Sequence, residues 1–96
     1  GEPINGIRAA EIVLVNVAVP AQEVLNYSLS MAEKISNNAP LSLAAVKKAA
    51  YKGEDLPLES GLDTELFYAE IIAKTQDRAE GMRAFLEKRP PSFVGN

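Results

Sequence analysis

The amino-acid sequence predicts a mostly α-helical fold: a short helix, a brief extended segment and four further helices. Apolar residues recur three or four positions apart in long stretches, a spacing that places them on one face of a helix. Proline, glycine and asparagine separate those stretches, as is typical where helices end. β-branched residues cluster only between Val13 and Val19, so a single extended segment is expected.

Length and composition exclude several classes of site. The 96 residues support one domain at most, and an isolated domain of this length buries only about 60 to 65% of its extended-chain surface. The net charge of −3 gives no basic field that would attract nucleic acid or an anionic membrane. Without cysteine or histidine, the chain cannot build a disulfide, a thiolate or imidazole metal site, or a Ser-His-Asp or Cys-His arrangement. We expect no metal, nucleic-acid or membrane partner.

Targeting signals are not visible in the sequence. No apolar run approaches the roughly 18 residues that span a bilayer, and no basic region followed by an apolar core begins the chain. We expect a cytoplasmic protein, or one of an organelle matrix if the source is eukaryotic. The sequence opens at Gly1-Glu2-Pro3 without a methionine, so we expect a fragment.

The first twenty residues predict the short helix and the extended segment. Asn5 can accept a backbone N–H at the start of a helix that runs to about Glu11. From Val13 to Val19 the β-branched residues alternate imperfectly, and Pro20 ends the run. A short strand or an extended connector is expected here.

Residues 21–37 and 40–52 predict the second and third helices. The second helix has an apolar side made of Val24, Leu25, Leu29, Ala32 and Ile35. Pro40 can open the third helix, because the first turn does not need the N–H that proline lacks. Gly53 is expected to end it.

The fourth helix is expected to follow Asp55, which can act as its N-cap, with Pro57 in the first turn. Its apolar stripe consists of Leu58, Leu62, Leu66, Ala69 and Ile72 or Ala73. The periodic pattern breaks after Lys74.

The fifth helix is expected to begin at Asp77. Asp77 and Glu80 have the spacing of a capping box in which Asp replaces Ser or Thr. Pro90 and Pro91 are expected to end the helix after Arg89. Its apolar face consists of Ala79, Met82, Phe85 and Leu86.

Two groups of charged residues could carry chemistry. Paired carboxylates can do acid/base work in a cleft, but those of the fourth helix face away from its apolar stripe, so a solvated helix face is the preferred interpretation. A cluster of lysines on the third helix could meet a phosphate, although an exposed helical surface is favoured. The carboxylates are Glu59, Asp63, Glu65 and Glu70, and the lysines are Lys47, Lys48 and Lys52.

The end of the fifth helix is the stronger candidate for a binding site. Phe85 and Lys88 are three residues apart, so on a helix they project to the same side. An aromatic face for an adenine ring beside an ammonium for a phosphate is a physically sensible nucleotide contact. The alternative is a helix end whose cations interact with the negative end of the helix dipole.

The string from Thr75 to Gly95, TQDRAEGMRAFLEKRPPSFVG, resembles the C-terminal end of the enoyl-CoA hydratase/isomerase, or crotonase, family. The elements T-x-D, R-x-E-G-M, A-F-L-E-K-R and P-x-F occur in the family's order. Val13 stands where the family usually has glycine. The resemblance covers nearly all of the chain, and its N-terminal matches are Leu14, Val15, Asn16, Val19 and Pro20.

The resemblance implies that this chain is the C-terminal helical, trimerisation part of a crotonase-like α/β fold, in which trimers often pair into hexamers. It also implies that Phe85 and Lys88 lie near the adenosine end of coenzyme A, often in a neighbouring subunit's site. Lys88 would meet a CoA phosphate, and Phe85 would line the adenine or acyl end of the cleft. Coenzyme A would enter as part of the acyl-CoA substrate and not as a bound cofactor.

The resemblance further implies that no catalytic residue lies in this chain. The family's chemistry needs two backbone N–H donors for a thioester oxyanion, and these and the catalytic glutamates belong to an N-terminal part before Gly1. We expect a piece of an enoyl-CoA hydratase/isomerase-like enzyme, inactive alone, whose partners are that N-terminal catalytic part and further copies in a trimer or hexamer. The alternative is an independent helical protein-interaction module without CoA chemistry.

Overall fold

A computed structural model describes all 96 residues, and the chain divides into two compact units, residues 1–33 and 34–96. It contains five α-helices and one 3₁₀ turn, and no strand forms. The mostly α-helical prediction is therefore confirmed. The elements are α1 (Gly6–Glu11), the 3₁₀ turn (Ala21–Glu23), α2 (Val24–Ser36), α3 (Pro40–Gly53), α4 (Leu58–Ala73) and α5 (Gln76–Glu87).

Helix α1 has the predicted start and end. The Asn5 side chain accepts the backbone N–H of Arg8 at 2.8 Å, which satisfies one of the free donors of the first turn. After Glu11 the chain turns through Val13, whose φ is 60°. The Leu14 N–H returns to the Ala9 carbonyl at 2.9 Å, which is the bond that closes a Schellman motif. That left-handed position normally holds glycine, so a β-branched valine there strains the backbone.

The residues between Val13 and Val19 form a connector and not a strand. The N–H groups of Leu14 and Val15 both point to the Ala9 carbonyl, at 2.9 and 3.3 Å. Donors used in this way cannot pair with a neighbouring strand. Of the two forms expected from the sequence, the structure therefore contains the connector.

In the second unit, α3 and α4 pack against each other as a helical hairpin. Helix α3 begins at Pro40 and ends at Gly53, as predicted. The prediction for Asp55 is wrong, because α4 has Pro57 at its N-cap position and no side-chain cap. The connection is instead closed by a turn in which the Leu56 N–H bonds the Gly53 carbonyl at 3.2 Å.

Helix α5 begins one residue earlier and ends two residues earlier than predicted. Thr75 is the N-cap: its hydroxyl accepts the Arg78 N–H at 3.1 Å and donates to the Ile72 carbonyl at 2.8 Å. Asp77 is therefore inside the first turn. The helix ends at Glu87, because the next residue, Lys88, has a φ of 53° and leaves the helical conformation.

The apolar stripes of the helices are largely uncovered by the chain itself. The buried apolar residues are three alanines, Ala9, Ala39 and Ala84. Along α4, the side chains of the predicted stripe remain open: Leu58 is 79% exposed, Leu62 55% and Leu66 60%. The partly buried face of α4 consists instead of Gly61, Thr64, Tyr68 and Ile72. The predicted stripe, apart from Ile72, is therefore wrong as the face that this chain buries. None of the helices is both long enough and apolar enough to span a bilayer.

Candidate functional site

The two predicted binding residues lie at the C-terminal end of α5. Phe85 is in the last helical turn with its side chain 81% exposed. Lys88 follows the helix and is also exposed. Its left-handed φ contradicts the prediction that both residues project from one helix face, since Lys88 is not part of the helix. Both residues therefore lie at the same exposed helix end, Phe85 in the last helical turn and Lys88 in the left-handed turn that follows it.

Two backbone hydrogen bonds close this turn. The Lys88 N–H bonds the Phe85 carbonyl at 3.3 Å, and the Arg89 N–H bonds the Ala84 carbonyl at 3.0 Å. The pattern is the same Schellman closure that ends α1, again with a non-glycine residue in the left-handed position. Lysine at this position is disfavoured by its Cβ, so neighbouring contacts must hold the conformation.

Arg89 makes the strongest of those contacts. Its guanidinium donates to both carboxylate oxygens of Glu80, at 2.6 and 3.0 Å, and its Nε donates to Glu87 at 2.6 Å. A planar guanidinium suits such paired bonds, which fix direction as well as distance. The hydrogen bond from Arg89, with a second from the Ser92 N–H, lowers the pKa of Glu80 to about 2. The same pairing raises the pKa of Arg89.

The C-terminal tail, residues 90–96, is bound to the first turns of α5. The Ser92 N–H donates to Glu80 at 3.0 Å. The Asp77 carboxylate accepts the N–H groups of Val94 and Gly95 at 2.7 and 2.9 Å. In return, the Asn96 carbonyl accepts the N–H groups of Gln76 and Asp77 at 2.9 and 3.2 Å. We call Asp77, Glu80 and Arg89, with the tail they hold, the tail clamp.

Gly81 provides space for the tail on the same helix. A Cβ built at Gly81 would lie 3.5 Å from Cε1 and 3.7 Å from Cζ of Phe93. The Phe93 ring therefore packs directly over the helix backbone. A methyl group would fit at this position, whereas a larger side chain would meet the Phe93 ring.

The tail clamp corrects the interpretation of Asp77 and Glu80. The sequence assigned them to a capping box, but Thr75 supplies the cap and both carboxylates bind residues further along the chain. Asp77 is only 2% exposed, and no buried side-chain nitrogen or oxygen in the chain lacks a partner. The glutamate and glycine of R-x-E-G-M and the phenylalanine of P-x-F are thus structural: Glu80 bonds the tail, and Phe93 of the tail packs on Gly81.

The other charged candidates remain on open surface. The carboxylates of α4 are exposed, and no three acidic side chains come together in a way that could hold a metal ion. On α3, the Lys47 ammonium lies 6.0 Å from the centre of the Tyr51 ring, and the Lys52 ammonium lies 5.8 Å from that of Tyr68. Cation–π contacts of exposed lysines are weak, so these residues form a solvated basic face.

The hairpin of α3 and α4 contains an open groove of about 610 Å³. Alanine, leucine and glycine dominate its walls, and Glu65 is the charged residue at its edge. No cluster of polar groups converges in it. Its chemistry suits packing against apolar side chains more than binding of a polar ligand. Residues that line it include Val46, Ala50, Leu58 and Leu62.

Comparison with known proteins shows which family the chain is related to. The family described as enoyl-CoA hydratase/isomerase matches residues 1–96. The chain is 38% identical over 95 residues to 2,3-dehydroadipyl-CoA hydratase of Escherichia coli, covering 99% of this chain and 37% of that protein. It is 42% identical over 100 residues to enoyl-CoA hydratase domain-containing protein 2, mitochondrial, of Mus musculus, covering 99% of this chain and 33% of that protein.

A solved structure shows the same relationship in three dimensions. The enoyl-CoA hydratase of Bacillus anthracis superposes with a TM-score of 0.90 and 36% identity, over 94% of this chain and 35% of that one. The chain thus spans about a third of the length of the relatives it matches. The match extends from the first residue to the last, and the chain belongs to the enoyl-CoA hydratase/isomerase family.

Proposed function

We propose that this chain is the C-terminal helical part of an enzyme that acts on acyl-CoA thioesters. In that enzyme it provides surface for contacts between subunits and part of the coenzyme A pocket. Family membership over the whole chain and the hydratases among its relatives support the proposal. The chain spans about a third of those relatives, so the chemistry is assigned to the remainder of the enzyme.

The exposed apolar stripes are the observation that carries this proposal. Burying a leucine side chain contributes about 1.5 to 3 kcal/mol, and α4 alone leaves three of its stripe leucines more than half exposed. Exposed apolar surface of this extent promotes association. Its partners in the complete enzyme are the N-terminal catalytic part and neighbouring copies, in a homotrimer or a hexamer built from trimers.

Phe85 and Lys88 are the proposed coenzyme A contacts. Phe85 offers an open aromatic face to the adenine or acyl end of the ligand. The ammonium of Lys88 forms no ion pair within the chain, and it is available for a phosphate. Both residues are proposed to bind the substrate, and neither is proposed to take part in its chemical conversion.

The chemical step is assigned to residues outside this chain. Thioester enolates require oxyanion donors placed where the negative charge develops, and the family's donors and glutamates match no position here. The complete enzyme is proposed to work in the cytoplasm or in an organelle matrix, the second by analogy with the mouse relative, which is named as mitochondrial.

The test compares the complete protein with the 96-residue chain. The complete protein is expected to hydrate crotonyl-CoA, and the chain alone is expected to show no turnover and to associate in sedimentation velocity. Lys88→Ala in the complete protein should raise KM for crotonyl-CoA by about three- to tenfold, as expected for loss of one exposed charge–phosphate contact. Arg8→Met, in an exposed ion pair of α1, is the matched control and should leave KM unchanged.

Two results would contradict the proposal. An unchanged KM in Lys88→Ala removes Lys88 from the site. A 96-residue chain that is a soluble, compact monomer contradicts the role in subunit contacts and favours an independent helical interaction module.

A further inference from the structure

We propose that Arg89 is a positioning residue for coenzyme A recognition: it acts through Lys88 and does not itself touch the ligand. The inference rests on the proposed function, because it assumes that Lys88 meets a phosphate. It gives Arg89, a member of the tail clamp, a role in ligand binding that the resemblance to the family does not imply.

The geometry fixes Arg89 from two directions. Its Nη atoms bond both oxygens of Glu80, nine residues earlier, while its Nε bonds Glu87, two residues earlier. The Arg89 N–H also bonds the Ala84 carbonyl at 3.0 Å. Arg89 is therefore anchored by its main chain and its side chain to the body of α5.

The two neighbours of Lys88 in the chain form an ion pair with each other. Its predecessor, Glu87, and its successor, Arg89, bond each other at 2.6 Å across it. This bridge holds Lys88 at a φ of 53°, a conformation that a lysine seldom adopts without support. The left-handed turn directs the Lys88 side chain away from the course it would follow on a continued helix.

The charges around Lys88 also support a positioning role for Arg89. Glu87 directly precedes Lys88 in the chain, Glu80 lies about two helical turns earlier, and Arg89 pairs with both carboxylates. Their negative charge is thereby compensated, and the Lys88 ammonium remains unpaired within the chain. Without the guanidinium, two uncompensated carboxylates would repel a phosphate, and Glu87 could pair with Lys88.

The test uses the complete enzyme and two substrates. Crotonyl-CoA carries the nucleotide phosphates, and crotonyl-pantetheine carries the same thioester without them. Arg89→Met keeps the unbranched stem and removes the guanidinium. It should raise KM for crotonyl-CoA by about three- to tenfold, with kcat unchanged. KM for crotonyl-pantetheine should not change, because a residue acting through a phosphate contact has no effect when the phosphate is absent.

The double variant tests the route through Lys88. If Arg89 acts only through Lys88, Arg89→Met combined with Lys88→Ala should be no worse than Lys88→Ala alone. Arg8→Met serves as the control, since it removes an arginine from an exposed ion pair at a different helix. If Arg89→Met does not fold, Glu80→Gln replaces it. That variant keeps an acceptor for Arg89 and removes one charge, and it should give a smaller rise in KM for crotonyl-CoA alone.

Different results separate the two proposals. If Lys88→Ala raises KM for crotonyl-CoA but Arg89→Met does not, this inference is overturned and the proposed function stands. If Arg89→Met, or Glu80→Gln in its place, raises KM equally for both substrates, its role is general stability and the inference is again overturned. If Lys88→Ala has no effect, the phosphate contact and this inference are both wrong.

Discussion

The Asp77 carboxylate accepts the backbone N–H of Val94 at 2.7 Å, so the first turn of α5 binds a residue 17 positions further along the chain. The second oxygen of the carboxylate accepts the Gly95 N–H. Gly95 has a φ of 83°, which glycine adopts without strain. One buried side chain thus holds two consecutive amides of the tail against α5.

Replacing Asp77 is expected to release the tail. Asp77→Ala leaves the Val94 and Gly95 N–H groups without their charged acceptor, and each such hydrogen bond contributes about 1.5 to 3 kcal/mol. Hydrogen exchange at these two amides should accelerate by at least tenfold. Asp63→Ala, at an exposed position of α4, is the control and should leave both amides protected. Unchanged protection in Asp77→Ala would show that the tail is held by other contacts.

Acid is expected to weaken the Glu80–Arg89 pair. The folded pKa of Glu80 is about 2, below its ordinary value of 4.5. A lowered folded pKa means that the pair's stabilisation is fully present above pH 4.5 and is lost as the pH falls towards 2. Protection of the Ser92 amide should decline across this window.

Glu80→Gln is the control for that titration, because glutamine cannot ionise. Protection of the Ser92 amide in Glu80→Gln should show no step between pH 4.5 and 2. A carboxyl titration of Glu80 centred near 4.5 in the folded protein, measured by NMR, would contradict the prediction.

Val13→Gly is expected to stabilise the end of α1. A left-handed non-glycine residue costs about 1 to 3 kcal/mol, whereas glycine loses about 0.5 to 1 kcal/mol more than alanine through entropy. The strain is the larger quantity, so the melting temperature of the complete protein should rise. Val15→Gly, whose φ is not positive, should lower it. A fall in both variants would mean that Val13 is not strained.

Gly81 should tolerate a methyl group but not a larger side chain. A Cβ at this position makes an ordinary van der Waals contact with Phe93, and alanine is a better helix former by about 1 kcal/mol. Gly81→Ala should therefore keep or raise the melting temperature. Gly81→Leu should displace the Phe93 ring and lower it. The ring position is checked by NOE contacts between Phe93 and α5, and equal stability of both variants would argue against the packing.

Local signals predicted local features well. Asn5, Pro40 and Gly53 each act within one turn of their own position, and α1 and α3 begin and end where those residues indicated. Helical periodicity also predicted α4 itself, but not the face that this chain partly buries, which contains Gly61, Thr64 and Tyr68. These features depend on sequence neighbours, which a single sequence contains.

The tail clamp could not be predicted in the same way. Asp77 and Glu80 have the spacing of a cap, yet their partners lie 9 to 18 residues away. Residue spacing alone does not distinguish a helix cap from a bond to a distant part of the chain. Lys88 presents a related difficulty: lysine is not a residue that signals a left-handed turn, so the sequence does not show that the helix ends just before it. The resemblance selected Phe85 and Lys88, but it gave no geometry for them.

The bonds from the Asn96 carbonyl to Gln76 and Asp77 also set an order of events during synthesis. A nascent chain that has reached only Pro91 has an α5 whose first turn still has free N–H donors and a carboxylate without its partners. Chains fold from the N-terminal side as they emerge from the ribosome. The bonds that tie residues 92–96 to the first turns of α5 are therefore among the last parts of this segment to form, after the Glu80–Arg89 pair can already close.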